Sequence, residues 1–209
     1  MPSRLIDAIV ERARPKEYPD NEAYRSISAD QVMRLSEAFA VSGREIEITA
    51  LRGEVVPERY ARNMKTFSYQ DQIALLQSSV SVVGLGGLGG AVTEILARMG
   101  IGRLNLIYGD TFEDSNLNRQ FLSTYDLLAT PKAQAAIRRV TQINASTVVE
   151  PHTEYLDEEN AVRLLDGTTV AVDCLDNLKT RFQLEQACQQ INCPLVSAAV
   201  AGAAGHVTT

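Results

Sequence analysis

The 209-residue sequence has no surplus of basic charge: 26 acidic against 20 basic side chains leave a net charge of −6. That removes a sequence-wide positive field for phosphate backbones or anionic lipid, so neither nucleic acid nor a membrane surface is expected as the principal partner. Long apolar runs are missing too. No stretch of 18 apolar residues occurs, and Leu5-Ile6-Asp7-Ala8-Ile9-Val10-Glu11 near the N-terminus is broken by charge. Neither a membrane span nor a signal peptide is therefore expected, and the expected location is the cytoplasm. Cysteine is scarce. Cys174, Cys188 and Cys193 have the spacing of neither a disulfide framework nor a Cys-x-x-Cys zinc knuckle, so the sequence does not support zinc and suits a reduced compartment.

What is present is ordinary globular material, 45% hydrophobic and 22% charged residues, enough for one main α/β core and an appendage. The appendage, residues 1–56, reads as mainly helical. Ser3 suits the cap of a short helix that Pro15 stops, and the proline- and charge-bearing stretch to Ile27 reads as a linker. Ser28 and Gln31 are spaced as a capping box before a helix with Val32, Leu35 and Phe39 on one face and Gly43 to end it. Glu45-Ile46-Glu47-Ile48 alternates as a half-buried strand would.

Residues 57–209 form the second region. From Ser79 onward, short β-branched runs alternate with helical segments, the signature of βαβ units: a Rossmann-like, mostly parallel sheet with helices on both faces. Strands are expected at 80–83, 104–108, 147–150, 169–174 and 195–199, with helices at 91–99, 132–143, 157–165 and 178–191.

Gly84-Leu85-Gly86-Gly87-Leu88-Gly89 follows the first of these strands and opens a helix. Glycines there permit a tight turn and let backbone N–H groups approach phosphate oxygens, so Gly84, Gly86, Gly87 and Gly89 are candidate nucleotide-binding residues. Which nucleotide, the turn alone does not say. Asp110 is the acidic residue about 20 positions further on that could hold ribose hydroxyls, in an ATP enzyme or an NAD- or FAD-dependent oxidoreductase alike.

Ser115-Asn116-Leu117-Asn118-Arg119-Gln120-Phe121 is followed, thirteen residues after Arg119, by Lys132 in Thr130-Pro131-Lys132-Ala133. Pro131 suits the first turn of a helix, and a lysine at a helix start is disfavoured by the helix dipole unless an anion lies nearby. One Arg and one Lys flanking a glycine turn suit a triphosphate, whose leaving pyrophosphate needs cations. Asp173-Cys174-Leu175-Asp176-Asn177 sits at the carboxyl end of a parallel strand, where open sheets place ligands. Asp176 is the candidate Mg²⁺ ligand; a helix cap before Leu178 is the alternative for Asp176-Asn177.

These segments, with Arg59-Tyr60-Ala61-Arg62-Asn63, together resemble the ThiF/MoeB/HesA family of ubiquitin-activating-like adenylyltransferases. The resemblance runs from about Arg59 to Thr209. It implies an enzyme that uses ATP and Mg²⁺ to join AMP to the C-terminal glycine of a ubiquitin-like or sulfur-carrier protein ending in Gly-Gly, releasing pyrophosphate. It also implies Ser115, Asn116 and Arg119 on phosphates and ribose, Lys132 on phosphate, and Asp176 on the metal with Asn177 beside it. Arg62 corresponds to an arginine supplied across a homodimer interface. Two departures stand out. Tyr108 occupies the position, eleven residues before Arg119, where the family has an aspartate, and the sheet, substrate-binding region and zinc cysteines that usually follow are not found before Thr209. A non-catalytic member that binds ATP or a partner is the alternative these departures raise.

Overall fold

The structure, a computed structural model, describes residues 2–209, with side chains from Arg4 onward. The chain divides into two compact units, one ending at Gln77 and one running from Ser78 to Thr209.

In the first unit, α1 (Pro2–Arg12) leads into β1 (Arg14–Glu17) and β2 (Ala23–Ile27), then α2 (Ala29–Phe39), α3 (Gly43–Arg52) and β3 (Val55–Pro57). Two 3₁₀ turns, Glu58–Tyr60 and Asn63–Lys65, precede α4 (Tyr69–Gln77). The three strands form one sheet in the order β1-β2-β3. Leu5, Ile9, Ile27, Val32, Leu35, Ile46, Ala50 and Val55 pack into a shared core.

Several expectations are corrected here. The stretch read as a linker contains the β1–β2 hairpin; Pro15 is tolerated because β1 is an edge strand. The expected strand Glu45–Ile48 lies inside α3. Ser42 caps that helix by accepting the Glu45 N–H, and Ile46, Glu47, Ala50 and Leu51 make a buried stripe at helical spacing, which four alternating residues are too few to reveal. Gly43 opens α3 rather than ending α2; the stop is Ala40, which adopts left-handed φ of 52°. The Ser28–Gln31 capping box forms as expected. The Ser3 side chain lies outside the described residues.

The second unit contains β4 (Ser79–Val83), α5 (Gly87–Met99), β5 (Arg103–Ile107), α6 (Lys132–Ile143), β6 (Val148–His152), α7 (Ala161–Leu164), β7 (Val170–Asp173), α8 (Leu178–Gln190), β8 (Leu195–Ala201) and β9 (Ala204–Thr208). Its six-stranded sheet has the order β6-β5-β4-β7-β8-β9. Every pairing is parallel except β8 with β9. The chain builds outward from β4 through β5 to β6, then returns to the other side of β4 with β7 and β8. That reversal leaves a crevice at the carboxyl ends of β4 and β7, the ligand position of open α/β sheets.

Boundaries shift for local reasons. The expected helix 157–165 shortens to α7 because the Asp157 carboxylate accepts the N–H groups of Glu159 and Asn160 and makes a turn. β6 passes through Pro151, which an edge strand allows. Strand β9 was not expected. Among the described residues no helix is long and apolar enough to cross a membrane.

Candidate functional site

β4 is buried along its whole length, so the chain leaves the sheet interior directly into the glycine turn. Gly84 has φ of 92°, and an added Cβ would meet the Cys174 carbonyl oxygen at 2.7 Å. At Gly89 a Cβ would lie 1.8 Å from the Gly84 carbonyl oxygen. These two glycines let the turn close on itself and on the end of β7. Gly86 and Gly87 differ: a Cβ there would find nothing nearer than 4.0 Å and 3.7 Å respectively. Their bareness leaves open the floor of a cavity. Gly86 caps α5 without any side-chain hydrogen bond, so the first N–H groups of that helix have no side-chain acceptor.

The cavity above this floor has a volume of about 640 Å³ and is walled by Tyr108, Arg119, Gln120, Asp176, Arg181 and Ala199, among others. Arg119 is exposed, its guanidinium donating to the Ser115 carbonyl at 2.8 Å and the Asn118 side chain at 3.0 Å. Gln120 is buried, yet its Oε1 has no hydrogen-bond partner. A second cavity of about 660 Å³ is walled by Phe182, Glu185, Gln189 and Thr208; it lacks a glycine floor.

Asp176 and Asp173 divide roles at the end of β7. Asp173 is buried, with Oδ1 accepting the Leu175 N–H at 3.0 Å and Oδ2 accepting the Ser197 hydroxyl at 2.7 Å beside the Arg181 Nε at 3.3 Å. Asp173 is therefore a structural tie. Asp176, three residues later, is exposed on the cavity wall. Asn177 uses its side-chain oxygen to cap α8 through the Thr180 N–H at 2.9 Å. Arg181 anchors this corner by donating to the Leu175 and Ala198 carbonyl oxygens.

Across the cavity, at the end of β5, the groups are paired with one another. The Lys132 ammonium is only 3% exposed and lies 2.5 Å from Asp110 Oδ2. Asp110 Oδ1 accepts the Thr111 N–H at 2.9 Å. The rings of Tyr108 and Phe112 lie 5.3 Å and 5.6 Å from the ammonium, a cation–π arrangement. Burial, followed by the charges of Asp176 and Asp110, pushes the Tyr108 phenol up to about 12, so its hydroxyl stays protonated at neutral pH.

The candidate residues thus separate. Gly86, Gly87, Arg119 and Asp176 line the cavity; Gly84 and Gly89 shape the turn beneath it. Asp110, Lys132, Ser115, Asn116 and Asn177 do not line it. The Asn116 side chain accepts the Glu113 N–H at 3.1 Å, closing a turn. Arg62 belongs to the first unit, between its two 3₁₀ turns. Gln120 and Arg181 are wall residues that the sequence does not single out, and Tyr108 stands out there only as a departure from the family's aspartate. Signals existed: Gln120 adjoins Arg119, and Arg181 lies one helical turn beyond the cap Asn177.

For a metal, the described residues include no group of three or more His, Cys, Asp or Glu side chains that could hold one. What the cavity wall offers is one carboxylate, Asp176, which fits Mg²⁺ only if phosphate oxygens complete its shell. The glycine floor and the uncapped helix start fit a phosphate-bearing ligand. Cys174 and Cys188 do not fit a nucleophile's role, because burial pushes both thiols up to about 12.

Known proteins resemble this chain in sequence and in fold. Molybdopterin-synthase adenylyltransferase of Salmonella typhimurium is 38% identical over 152 residues, covering 72% of this chain and 61% of that protein. Adenylyltransferase and sulfurtransferase MOCS3 of Drosophila yakuba is 33% identical over 198 residues, 92% of this chain and 43% of that protein. The chain thus spans about two fifths to three fifths of these relatives' length. Among solved structures, tRNA N6-threonylcarbamoyladenosine dehydratase of E. coli in complex with ATP is similar with a TM-score of 0.65 and 27% identity, covering 67% of this chain and 58% of that one. The ThiF family model matches residues 60–209, which include the glycine turn, both strand ends and the whole cavity wall, and the chain belongs to the ThiF family.

Proposed function

We propose that this protein uses ATP and Mg²⁺ to adenylate the C-terminal glycine carboxylate of a ubiquitin-like or sulfur-carrier protein ending in Gly-Gly, with release of pyrophosphate. The observation that carries this reading is a bare glycine floor between an exposed arginine, Arg119, and an exposed carboxylate, Asp176, in one cavity. Relatives named adenylyltransferases and a neighbour solved with ATP support it.

The reaction asks little covalent chemistry of the protein. A carboxylate oxygen of the carrier attacks the α-phosphorus, the bond from that phosphorus to the bridging oxygen breaks, and pyrophosphate leaves with the electron pair. Positioning and charge stabilisation can supply most of the rate. Gly86 and Gly87 present backbone N–H groups to phosphate, and Arg119 meets the charge of the departing pyrophosphate. Lys132 is assigned to phosphate, which its buried ammonium, held by Asp110 behind the cavity wall, reaches only by turning toward the ligand. Asp176 is the residue that would hold Mg²⁺, whose charge neutralises the triphosphate. Arg62 is assigned to the neighbouring subunit's nucleotide in a homodimer, and residues 57–209 to the adenylation domain, with 1–56 appended. The expected setting is the cytoplasm.

The test is isotope exchange of pyrophosphate into ATP with the intact chain, Mg²⁺ and a Gly-Gly carrier. Exchange that depends on the carrier is expected. No exchange despite ATP binding would make the chain a binding member of the family, and no ATP binding would remove the nucleotide reading altogether.

A further inference from the structure

Resting on that nucleotide reading, we infer that Tyr108 sets the sugar specificity of the cavity: no carboxylate at the end of β5 is free to hold the ribose 2′-hydroxyl, so 2′-deoxy nucleotides bind comparably to ribonucleotides. Open α/β sheets read ribose with an acidic side chain at the end of the second strand, about 20 residues after the glycine turn. In this chain the residue leaving β5 into the cavity wall is Tyr108. Close behind it is Asp110, whose oxygens accept from the Thr111 N–H and from Lys132 and which does not reach the cavity wall.

That commitment is strong. The Lys132 side chain is almost fully buried and, among the described residues, Asp110 is its only carboxylate partner. Turning Asp110 toward a sugar would strand a buried cation, a far larger loss than one ribose hydrogen bond restores. The backbone adds to it, because the Lys132 N–H donates to the Asp110 carbonyl at 2.9 Å and Thr111 bridges to Pro131. Asp110 is also absent from the cavity wall, where Asp176, at the end of β7, is the only carboxylate.

What Tyr108 itself offers a sugar is neutral, its hydroxyl, and Asp176, whose charge reaches Tyr108 from the β7 side, is assigned to Mg²⁺. A hydrogen bond from a sugar hydroxyl to an ionised carboxylate is worth about ten- to a hundredfold in affinity, whereas one to a neutral group is worth about two- to tenfold. The difference is the signature to look for.

The experiment is calorimetric titration of the intact chain with ATP and with 2′-dATP, each with Mg²⁺. Dissociation constants within about tenfold of each other are expected. In Asp110→Asn, with folding verified by circular dichroism, the ratio should hold, because that carboxylate does not touch the sugar. In Tyr108→Asp, with folding verified by circular dichroism, the preference for ATP should widen about tenfold or more. A wild-type preference for ATP beyond tenfold, its collapse in Asp110→Asn, or no widening in folded Tyr108→Asp each overturns the inference while leaving nucleotide binding intact. If neither nucleotide binds, the nucleotide reading falls and takes this inference with it.

Discussion

The polypeptide leaves the sheet at the ends of β5 and β7 into the same cavity, and each exit carries a pair of acidic or hydroxyl-bearing side chains two or three residues apart. At β7, Asp173 is consumed by the Leu175 N–H, Ser197 and Arg181, which leaves Asp176 free on the wall. At β5 the order is reversed. Tyr108 reaches the wall, and Asp110 behind it is spent on Lys132. The same residue type, aspartate at a strand end, is a cavity-facing group in one place and an internal tie in the other. What decides between them is whether a buried cation lies within reach, a matter of tertiary packing that neither motif spacing nor strand position reports.

If the β7 exit is the working end, removing its free carboxylate should have the largest effect. Asp176→Asn should lower carrier-dependent pyrophosphate exchange by about 100- to 1000-fold, the scale of losing one preorganised charge contact, with the melting temperature nearly unchanged. Arg119→Ala should fall in the same range. Loss of folding in Asp176→Asn would instead place that residue with Asp173.

The glycine turn sharpens the contrast from below. Gly89→Ala drives a Cβ against the Gly84 carbonyl, and Gly84→Ala forces a left-handed φ as well as a clash with the Cys174 carbonyl; each should cost about 2–4 kcal/mol by chemical denaturation. Gly86→Ala has open space and should leave stability within about 0.5 kcal/mol of wild type while weakening ATP binding. Equal stability losses at all three positions would show that the turn is closed throughout.

This contrast also measures what the sequence disclosed. The parallel sheet, its strand positions and the glycine turn were legible because β-branched runs and glycine spacing are local signals. Asp176 and Arg119 were legible because their motifs place them at strand ends and loops. The Lys132–Asp110 pairing was not, since the two are 22 residues apart and their approach depends on the Thr111–Pro131 bridge. Arg181 escaped notice as a conventional helix residue. The N-terminal unit was read least well: Glu45–Ile48 shows strand-like alternation but follows a Ser42 cap, and the edge position that rescues Pro15 exists only once β2 is paired.

Arg181 provides a smaller test of the β7 corner. It ties the Leu175 and Ala198 carbonyls and Asp173 through a planar fork that lysine does not reproduce. Arg181→Lys should cost about 1–2 kcal/mol of stability, and exchange should drop less than in Asp176→Asn. The smallest effect expected is a pH dependence. The Cys174 and Cys188 thiols and the Tyr108 phenol all ionise at about 12 in the fold, above ordinary values of 9 and 10. The unfolded chain therefore loses these protons first, so their contribution to stability is complete below pH 9 and declines as pH rises toward 12. Denaturation midpoints at pH 8 and pH 10 should show that decline; a rise would contradict the burial of these groups.

The most direct measurement is mass spectrometry of a Gly-Gly carrier incubated with the intact chain, ATP, Mg²⁺ and pyrophosphatase. The account predicts a carrier species heavier by one adenylyl group, seen with wild type and abolished by Asp176→Asn. A carrier that stays unmodified with wild-type protein that binds ATP, or one modified equally by Asp176→Asn, would contradict it.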